Sequence, residues 1–567
     1  KQNLNDVVAK KHEHTNKDLL DSYTQTNTNI ADAISKKHSQ NTDQYLDFGG
    51  NNEISAEKIK NLSGTVVNIK DYGAVGDGVT NDTTAFINAV AAARTLKSAL
   101  ILPSGNYVVT PTSTIDLTGI PALIGYGATL DMSGVSISRS FQVVGTKTKI
   151  AENLTLTKGA QTITLSSGLE LKRGTTLLIT SIEDFPHCKG DIYRKGERVT
   201  VTKYDNTTGE TIITPAIRYN YTASAYVWKL TESEIYIPPG LTIIGPVEKE
   251  ITCMIILWSK ATIGCTLKNW GGCGISTNGS ETTFYGKIFV DAPSGTGTSY
   301  GITGSDLSRL SIIGAHISGG RHAVANGGGG VWNDLESGGT DKAAVFPTKC
   351  TVSGGTYSCS SSEWDIGAID GHSNTDLIVT GAVCDGGIKA NGPLTAITNC
   401  QIEHRNYGVI CAGGTADNND FNADPSSLIV SNNIFRGKGG LVGSAIYARQ
   451  HAKTVVISGN TMTGEWKQGG HTNPNPVKIS GKFENITIES NTIYNVYSLG
   501  SGESYAMWSI VLECPAVITI KNNLIRGSGI TLKNDNYANV TDSIIAGNII
   551  LESLCPARTI QFNTPKD

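Results

Sequence analysis

Apolar and polar residues along this chain follow two rhythms, one brief and helical, the other long and strand-like. Five short segments, "IVSNNIF", "VISGNTM", "TIESNTI", "TIKNNLI" and "IIAGNII", run through alternating apolar positions and then set an Asn behind a turn residue. The shared positions are Asn433, Asn460, Asn491, Asn523 and Asn548, spaced by 27, 31, 32 and 25 residues. Weaker copies lie upstream as "AITNCQI", "TVSGGTY" and "SIIGAHI". A period of this length with strand and turn content but no helix predicts a solenoid. No single coil can bury its own apolar side, so coils stack with parallel strands about 4.8 Å apart. Asn at one position per coil then predicts a hydrogen-bonded ladder, because its amide both donates and accepts.

The helical rhythm occurs once in this part of the chain. "NIKDYGAVGDG" reads as a short strand running into a glycine turn, with Thr80 or Asp82 as the helix cap. Ala85, Phe86, Ala89, Val90 and Ala93 form one apolar face, and "ALILPSGNYVV" returns the chain to strand. A lone helix with one apolar stripe has a natural use here. It closes the open end of the stack, which would otherwise pair with another chain.

Two regions depart from the repeat. Residues 165–235 alternate strongly and are rich in Tyr and Thr, which predicts a β-rich insertion. Residues 1–50 carry a repeated "KKHEHTNKDLLDSY" and "SKKHSQNTDQYLDF" with apolar residues at loose helical spacing. That segment buries little alone, so it reads as a helical connector needing partner chains, or else as a partly disordered linker. The expected order is this connector, an opening coil with its capping helix over 66–110, the solenoid over 111–560, and a tail at 561–567.

Composition agrees with a long, turn-rich β-structure. The 567 residues include 64 Gly but only 17% charged residues, and Gly tolerates the left-handed angles of tight turns. A net charge of −4 excludes broad attraction to nucleic acid or to an anionic membrane. No apolar run reaches bilayer-spanning length. The chain opens "KQNLNDVVAKK" with neither a leader nor an initiating Met, so a fragment or processed form is expected. Eleven cysteines, mostly inside apolar runs such as "ITCMIIL", read as buried free thiols rather than disulfides. No metal site or cofactor is expected. The two His of "KKHEH" do not converge on a helix, and "ANGGGG" lacks the Lys and helix of a phosphate loop.

The opening stretch "DYGAVGDGVTNDTTAFINA…ALILPSGNYVV" resembles the start of the pectate-lyase-like superfamily of right-handed parallel β-helices, over about residues 66–560. Polysaccharide hydrolases, lyases and bacteriophage tailspikes share that fold. "SGGRHAVANGGGG" (318–330) and "AIDGHSNTDLIVTG" (368–381) resemble segments of phage tail proteins in the superfamily. The N-terminal repeat is similar to connectors in tail proteins of phages infecting Gram-positive hosts. The resemblance therefore implies a tailspike: a homotrimer on the virion, joined to the tail or baseplate through its N-terminal segment, that binds and often cleaves a cell-surface polysaccharide or teichoic acid. The acidic motifs of polygalacturonases are not evident, so pectin is not the expected substrate.

Glycoside hydrolysis needs one carboxylic acid to protonate the leaving oxygen and a second carboxylate to activate water or attack. The densest candidate is "EWDIGAIDGH" (363–372). In an extended strand Asp370 and His372 share a face about 6–7 Å apart, with Glu363 and Asp365 on the preceding turn and Trp364 offering a flat face to a sugar ring. The alternative is that Asp370 and His372 merely cap a turn. Stacking would bring His322 near Asp370 as acid or base, with Arg321 binding an anionic group or pairing structurally with an acid. Asp385, Lys389, Glu403 and Arg405, with Arg449, His451, Glu465 and Trp466 beyond, form either a stripe of polymer subsites or ordinary solvated turns. Carboxylates dominate the main cluster, so hydrolysis is expected over elimination. The rival functions are a non-catalytic receptor-binding fibre and a secreted bacterial polysaccharide-processing enzyme.

Overall fold

The structure, a computed structural model, describes residues 66–563 apart from 186–192, 292–298, 328–343, 361–366, 373, 405–406, 412–426, 439–443, 450–451, 468–474, 481–482, 499–508, 514–515, 527–528, 534–542 and 552–559. The expectations for the 1–50 connector and the 561–567 tail thus fall wholly or partly outside it. The rest is a parallel β-helix. Among the described residues its coils build three long parallel sheets of 12, 14 and 15 strands. From Glu234 onward the coils contribute one strand to the 12-stranded, then the 15-stranded, then the 14-stranded sheet, and the opening coils use a separate three-stranded sheet of Val66–Asn68, Ala99–Leu102 and Leu123–Gly125 in place of the first.

Inward side chains stack in columns. On the 14-stranded sheet one column runs Ile275, Ile302, Val324, Ile369, Ile388, Val409 and Ile446 in direct register, and every member is buried. Alternation along each strand turns the residue after each of these outward.

The turn from the 12-stranded to the 15-stranded sheet explains the Asn repeat. Its first residue is left-handed: Asn399, Asn432, Ser490 and Asn522 at φ 56°, Gly459 and Gly547 at φ 65°. Only Gly and, at small cost, Asn adopt this angle readily. The next residue points inward. Asn433 Nδ2 donates to Asn460 Oδ1 at 3.0 Å, and the same contact repeats from Asn460 to Asn491, Asn491 to Asn523 and Asn523 to Asn548. Cys400 takes the position above Asn433 and donates its N–H to Asn433 Oδ1.

The capping helix spans Thr83–Leu96 and buries the five expected residues. Its cap differs from expectation. The buried Asp82 carboxylate accepts from the Val75 and Gly76 N–H groups, so it ties down the glycine turn. Thr80 is bonded to Asp77, and Asn81 Oδ1 accepts from Thr83 N–H instead. Gly76 has φ 65°, and a Cβ there would lie 2.6 Å from the Tyr107 ring.

A six-stranded antiparallel sheet interrupts the coils between Thr146 and Thr231. It starts earlier than position 165 because Thr146–Leu156 pairs with Tyr221–Thr231. The sheet has its own core, including Leu177, Ile179, Val199 and Val227. It is tied to the helix where Lys147 Nζ lies 5.3 Å from the Trp228 ring and 4.7 Å from the Trp258 ring, and where Arg218 pairs with Asp376. The eight described cysteines are free, seven of them buried. Burial pushes the Cys265, Cys273, Cys350 and Cys411 thiols up to about 12. No described helix is long and apolar enough to cross a membrane.

Candidate functional site

Asp370 is the middle residue of the strand Ile369–Gly371 in the 14-stranded sheet. Register sets it between Ala325 on the strand above and Lys389 on the strand below. Its neighbour Ile369 belongs to the inward column, so Asp370 faces out. His322 begins the preceding strand, His322–Asn326, and its Nε2 lies 3.3 Å from Asp370 Oδ2. His372, two residues on and on the same face, brings its Nε2 to 3.5 Å from the same oxygen. A sequence separation of nearly fifty residues thus closes to a contact through one strand spacing.

Exposure distinguishes the three side chains. Those of His322 and Asp370 are 5% and 3% exposed, whereas that of His372 is 39% exposed. His372 is therefore the solvent side of the cluster and His322 the buried side. His322 Nδ1 lies 2.7 Å from Gly367 O. A carbonyl can only accept, so Nδ1 carries the hydrogen and Nε2 is turned to the carboxylate. Burial lowers the His322 pKa, Asp370 and the Gly367 carbonyl oppose that shift, and Arg321 and Lys389 add to it. Asp370 Oδ1 is buried with no hydrogen-bond partner among the described residues. Leaving such an acceptor unpaired costs about 1–3 kcal/mol.

The other sequence candidates divide. Arg321 is half-buried on the turn before His322, where its N–H donates to Ser299 O at 2.8 Å. Lys389 shares the outward column of Asp370. Asp385 and Glu403 do not. They are register partners on the 15-stranded sheet, and Lys438 bridges them at 3.0 and 2.6 Å. The single stripe expected from sequence therefore separates onto two faces, because positions 385 and 370 belong to different strands of their coils. Arg449 follows the strand Ile446–Ala448 of the 14-stranded sheet, and Glu465 and Trp466 fall in the 15-stranded sheet. Glu363, Trp364, Asp365, Arg405 and His451 lie outside the described residues. Among the described residues no cluster of His, Cys, Asp and Glu is arranged to hold a metal.

Sequence reasoning missed several aromatic groups on this sheet. Tyr300 is the register partner of His322, and the two rings stack 5.7 Å apart with an interplanar angle of 1°. The signal was available in "CGISTN", "YGITGS" and "HAVAN", which align in register and place Cys273, Tyr300 and His322 at one position. Farther down, the outward column of Asp370 continues through Lys389, Ile410, Tyr447 and Lys478. Tyr447 stacks on Tyr407 at 5.5 Å.

Comparison with known proteins agrees with the parallel β-helix fold. The family described as Rhamnogalacturonase A/epimerase, pectate lyase-like, matches residues 66–183. The match covers the opening coils, the capping helix and the first part of the antiparallel insertion. Solved structures similar to this chain, and sharing its parallel β-helix fold, include three phage tailspikes. The Gp54 tailspike of Acinetobacter baumannii bacteriophage AP22, solved in complex with A. baumannii capsular saccharide, matches with TM-score 0.51 and 14% identity, over 89% of this chain and 80% of that one. The gp61 tailspike of Pseudomonas phage phi297 gives 0.55 and 14%, over 86% and 80%. The gp49 tailspike of Pseudomonas phage LKA1 gives 0.54 and 16%, over 83% and 82%. No curated protein sequence matches the chain.

Proposed function

We propose that this chain is a tailspike-type depolymerase that binds a host cell-surface glycan, a capsular polysaccharide or wall teichoic acid, and cuts it by hydrolysis at Asp370. The observation that carries the reading is the Asp370–His322 contact, with an unpaired carboxylate oxygen on Asp370 and the half-exposed His372 beside it. Asp370, in its protonated form, gives its proton to the glycosidic oxygen as the bond to the anomeric carbon breaks. Water adds to that carbon and gives its own proton to a second carboxylate, Glu363 or Asp365. The second carboxylate then loses its proton to solvent, Asp370 regains one from solvent through the half-exposed His372, and the buried His322, held by Gly367 and faced by Tyr300, positions the Asp370 carboxyl. Lys389, Tyr447 and Lys478 extend the same face as subsites for neighbouring sugars, and Trp364 and Arg321 are further candidate contacts for them. A homotrimer on the virion tail, attached through the N-terminal segment, fits this reading. The resemblance to tailspikes and the residue pattern of 1–50 support it.

The chemistry is tested by product analysis. Purified protein is incubated with host walls and capsules in heavy-oxygen water, and the products are read by mass spectrometry. Hydrolysis puts one solvent oxygen at each new end. An unsaturated sugar without solvent oxygen would mark elimination and overturn the assignment, and intact glycan from every host would leave only adsorption.

A further inference from the structure

A second site lies away from the Asp370 face. Where the antiparallel sheet leans on the 12-stranded sheet there is a cleft of about 650 Å3, within the usual range of ligand pockets. Arg198 and Arg218 come from the antiparallel side, and Arg309, Lys349 and Asp376 from the parallel strands. Most of its charges are already matched. Arg218 holds Asp376 through two guanidinium nitrogens, one at 2.9 Å. Arg198 is buried and pairs with Glu232 while donating to Gly279 O at 2.8 Å. Glu197 accepts from Arg218 N–H and Tyr221 Oη at 2.9 Å each, and burial raises its pKa.

Two more cations line it, Arg309 and Lys349, and Arg309 has the exposed Glu281 as register partner on its other side. Arg309 and Lys349 are register partners on adjacent strands, so their like charges stand one strand spacing apart, an arrangement that costs stability unless something neutralises it. Arg309 donates to Arg198 O at 2.7 Å, and neither Arg309 nor Lys349 makes an ion pair among the described residues. Burial and the neighbouring Arg198 lower the Arg309 pKa, and Glu281 and Glu232 oppose that shift without cancelling it. Besides the Glu281 carboxylate, the rest of the wall offers hydroxyls, including Ser311 and Thr351, and no aromatic ring. Ring stacking is therefore not its mode of recognition, and charge with hydroxyl contacts is.

We infer that this cleft binds an acidic sugar, its carboxylate, sulfate or phosphate set between Arg309 and Lys349. The site is distinct from the Asp370 face, and the inference takes from the proposed function only that the ligand is a glycan. A chain with both sites would hold a charged polymer at one sheet while acting on it at another.

The test is isothermal titration of the full chain with trigalacturonate at low salt, beside the fully methyl-esterified trisaccharide. The acid form is expected to bind at least tenfold more tightly than the ester, and more weakly as sodium chloride is added. The double variant Arg309→Gln, Lys349→Gln is expected to lose at least tenfold in affinity. Glu281→Gln removes the exposed carboxylate beside Arg309 and is expected to tighten binding several-fold, a gain that misfolding cannot imitate. Asp370→Asn should bind trigalacturonate as wild type does. Three results would overturn the inference: no binding by wild type, equal binding of acid and ester, or a loss in Asp370→Asn without one in the double variant. None of them depends on whether reducing ends are released, so this site and the catalytic reading fail separately.

Discussion

Replacing Asn491 with Ala removes one rung from the middle of the ladder. The Asn491 side chain is buried, donates Nδ2 to Ile457 O at 2.9 Å, to Glu489 O at 3.1 Å and to Asn523 Oδ1 at 3.0 Å, and accepts both Asn460 N–H and Asn460 Nδ2 at 3.0 Å. After substitution Asn523 Oδ1 still accepts Asn491 N–H and Asn460 Nδ2 still reaches Val430 O. The Asn460 N–H has no substitute acceptor, and a buried donor left unpaired costs about 1–3 kcal/mol. With the smaller losses on the other contacts, the total is about 3–5 kcal/mol. A long solenoid unfolds irreversibly in practice, so the suitable quantity is an unfolding rate. If the ladder breaks before the barrier, a 3 kcal/mol loss speeds unfolding by about 100-fold. Loss of intrinsic fluorescence in denaturant measures it. Asn548→Ala, on a half-buried terminal rung, should show less than half that effect in energy. Asn485→Ala, on an exposed position of the preceding strand, should show almost none. Equal rates for Asn491→Ala and Asn485→Ala would refute the ladder as a source of stability.

Three further outcomes follow from the same structure. Ser490 holds a left-handed angle that Asn432 and Asn522 hold at the equivalent turns, so Ser490→Asn should slow thermal inactivation by about 0.5–1 kcal/mol of stability; an unchanged or faster rate contradicts this. Burial lowers the His322 pKa, so the unfolded chain binds its proton more readily and this contribution to stability falls as pH drops below about 6.5. Inactivation rates of wild type and His322→Gln at about pH 7.5 and about pH 5.5 should show a smaller acid-side loss in the variant. Iodoacetamide at neutral pH should leave Cys253, Cys265, Cys273, Cys350, Cys384, Cys400 and Cys411 unmodified in the native protein, with Cys359 the more reactive, as read by peptide mapping.

Periodicity carried most of the architecture. The Asn positions mark a turn whose left-handed first residue leaves little choice of side chain, so the same local rule prints itself in each coil. The capping helix was equally plain, since Ala85, Phe86, Ala89, Val90 and Ala93 repeat at helical spacing. Its cap was not, because Asp82 had a second use in the glycine turn that only folding reveals. At the site, Asp370 and His372 were readable as a pair from strand alternation, and His322 from the idea of stacking. Tyr300 and the assignment of Asp385 and Glu403 to another sheet depend on where each coil turns its corners. Corner lengths vary from two residues at Gly386–Gly387 to more than a dozen at 412–426, and no repeat encodes them. The Arg309–Lys349 juxtaposition was hidden for the same reason.

The claim that glycan is cut on the Asp370 face is tested most directly by Asp370→Asn. This change keeps the shape of the side chain and removes the carboxylate facing His322 and His372. Reducing ends released from a glycan that wild type degrades should fall by at least a thousandfold, while the variant still binds the intact polymer and keeps the wild-type unfolding rate within about tenfold. Undiminished release by the variant would contradict the account.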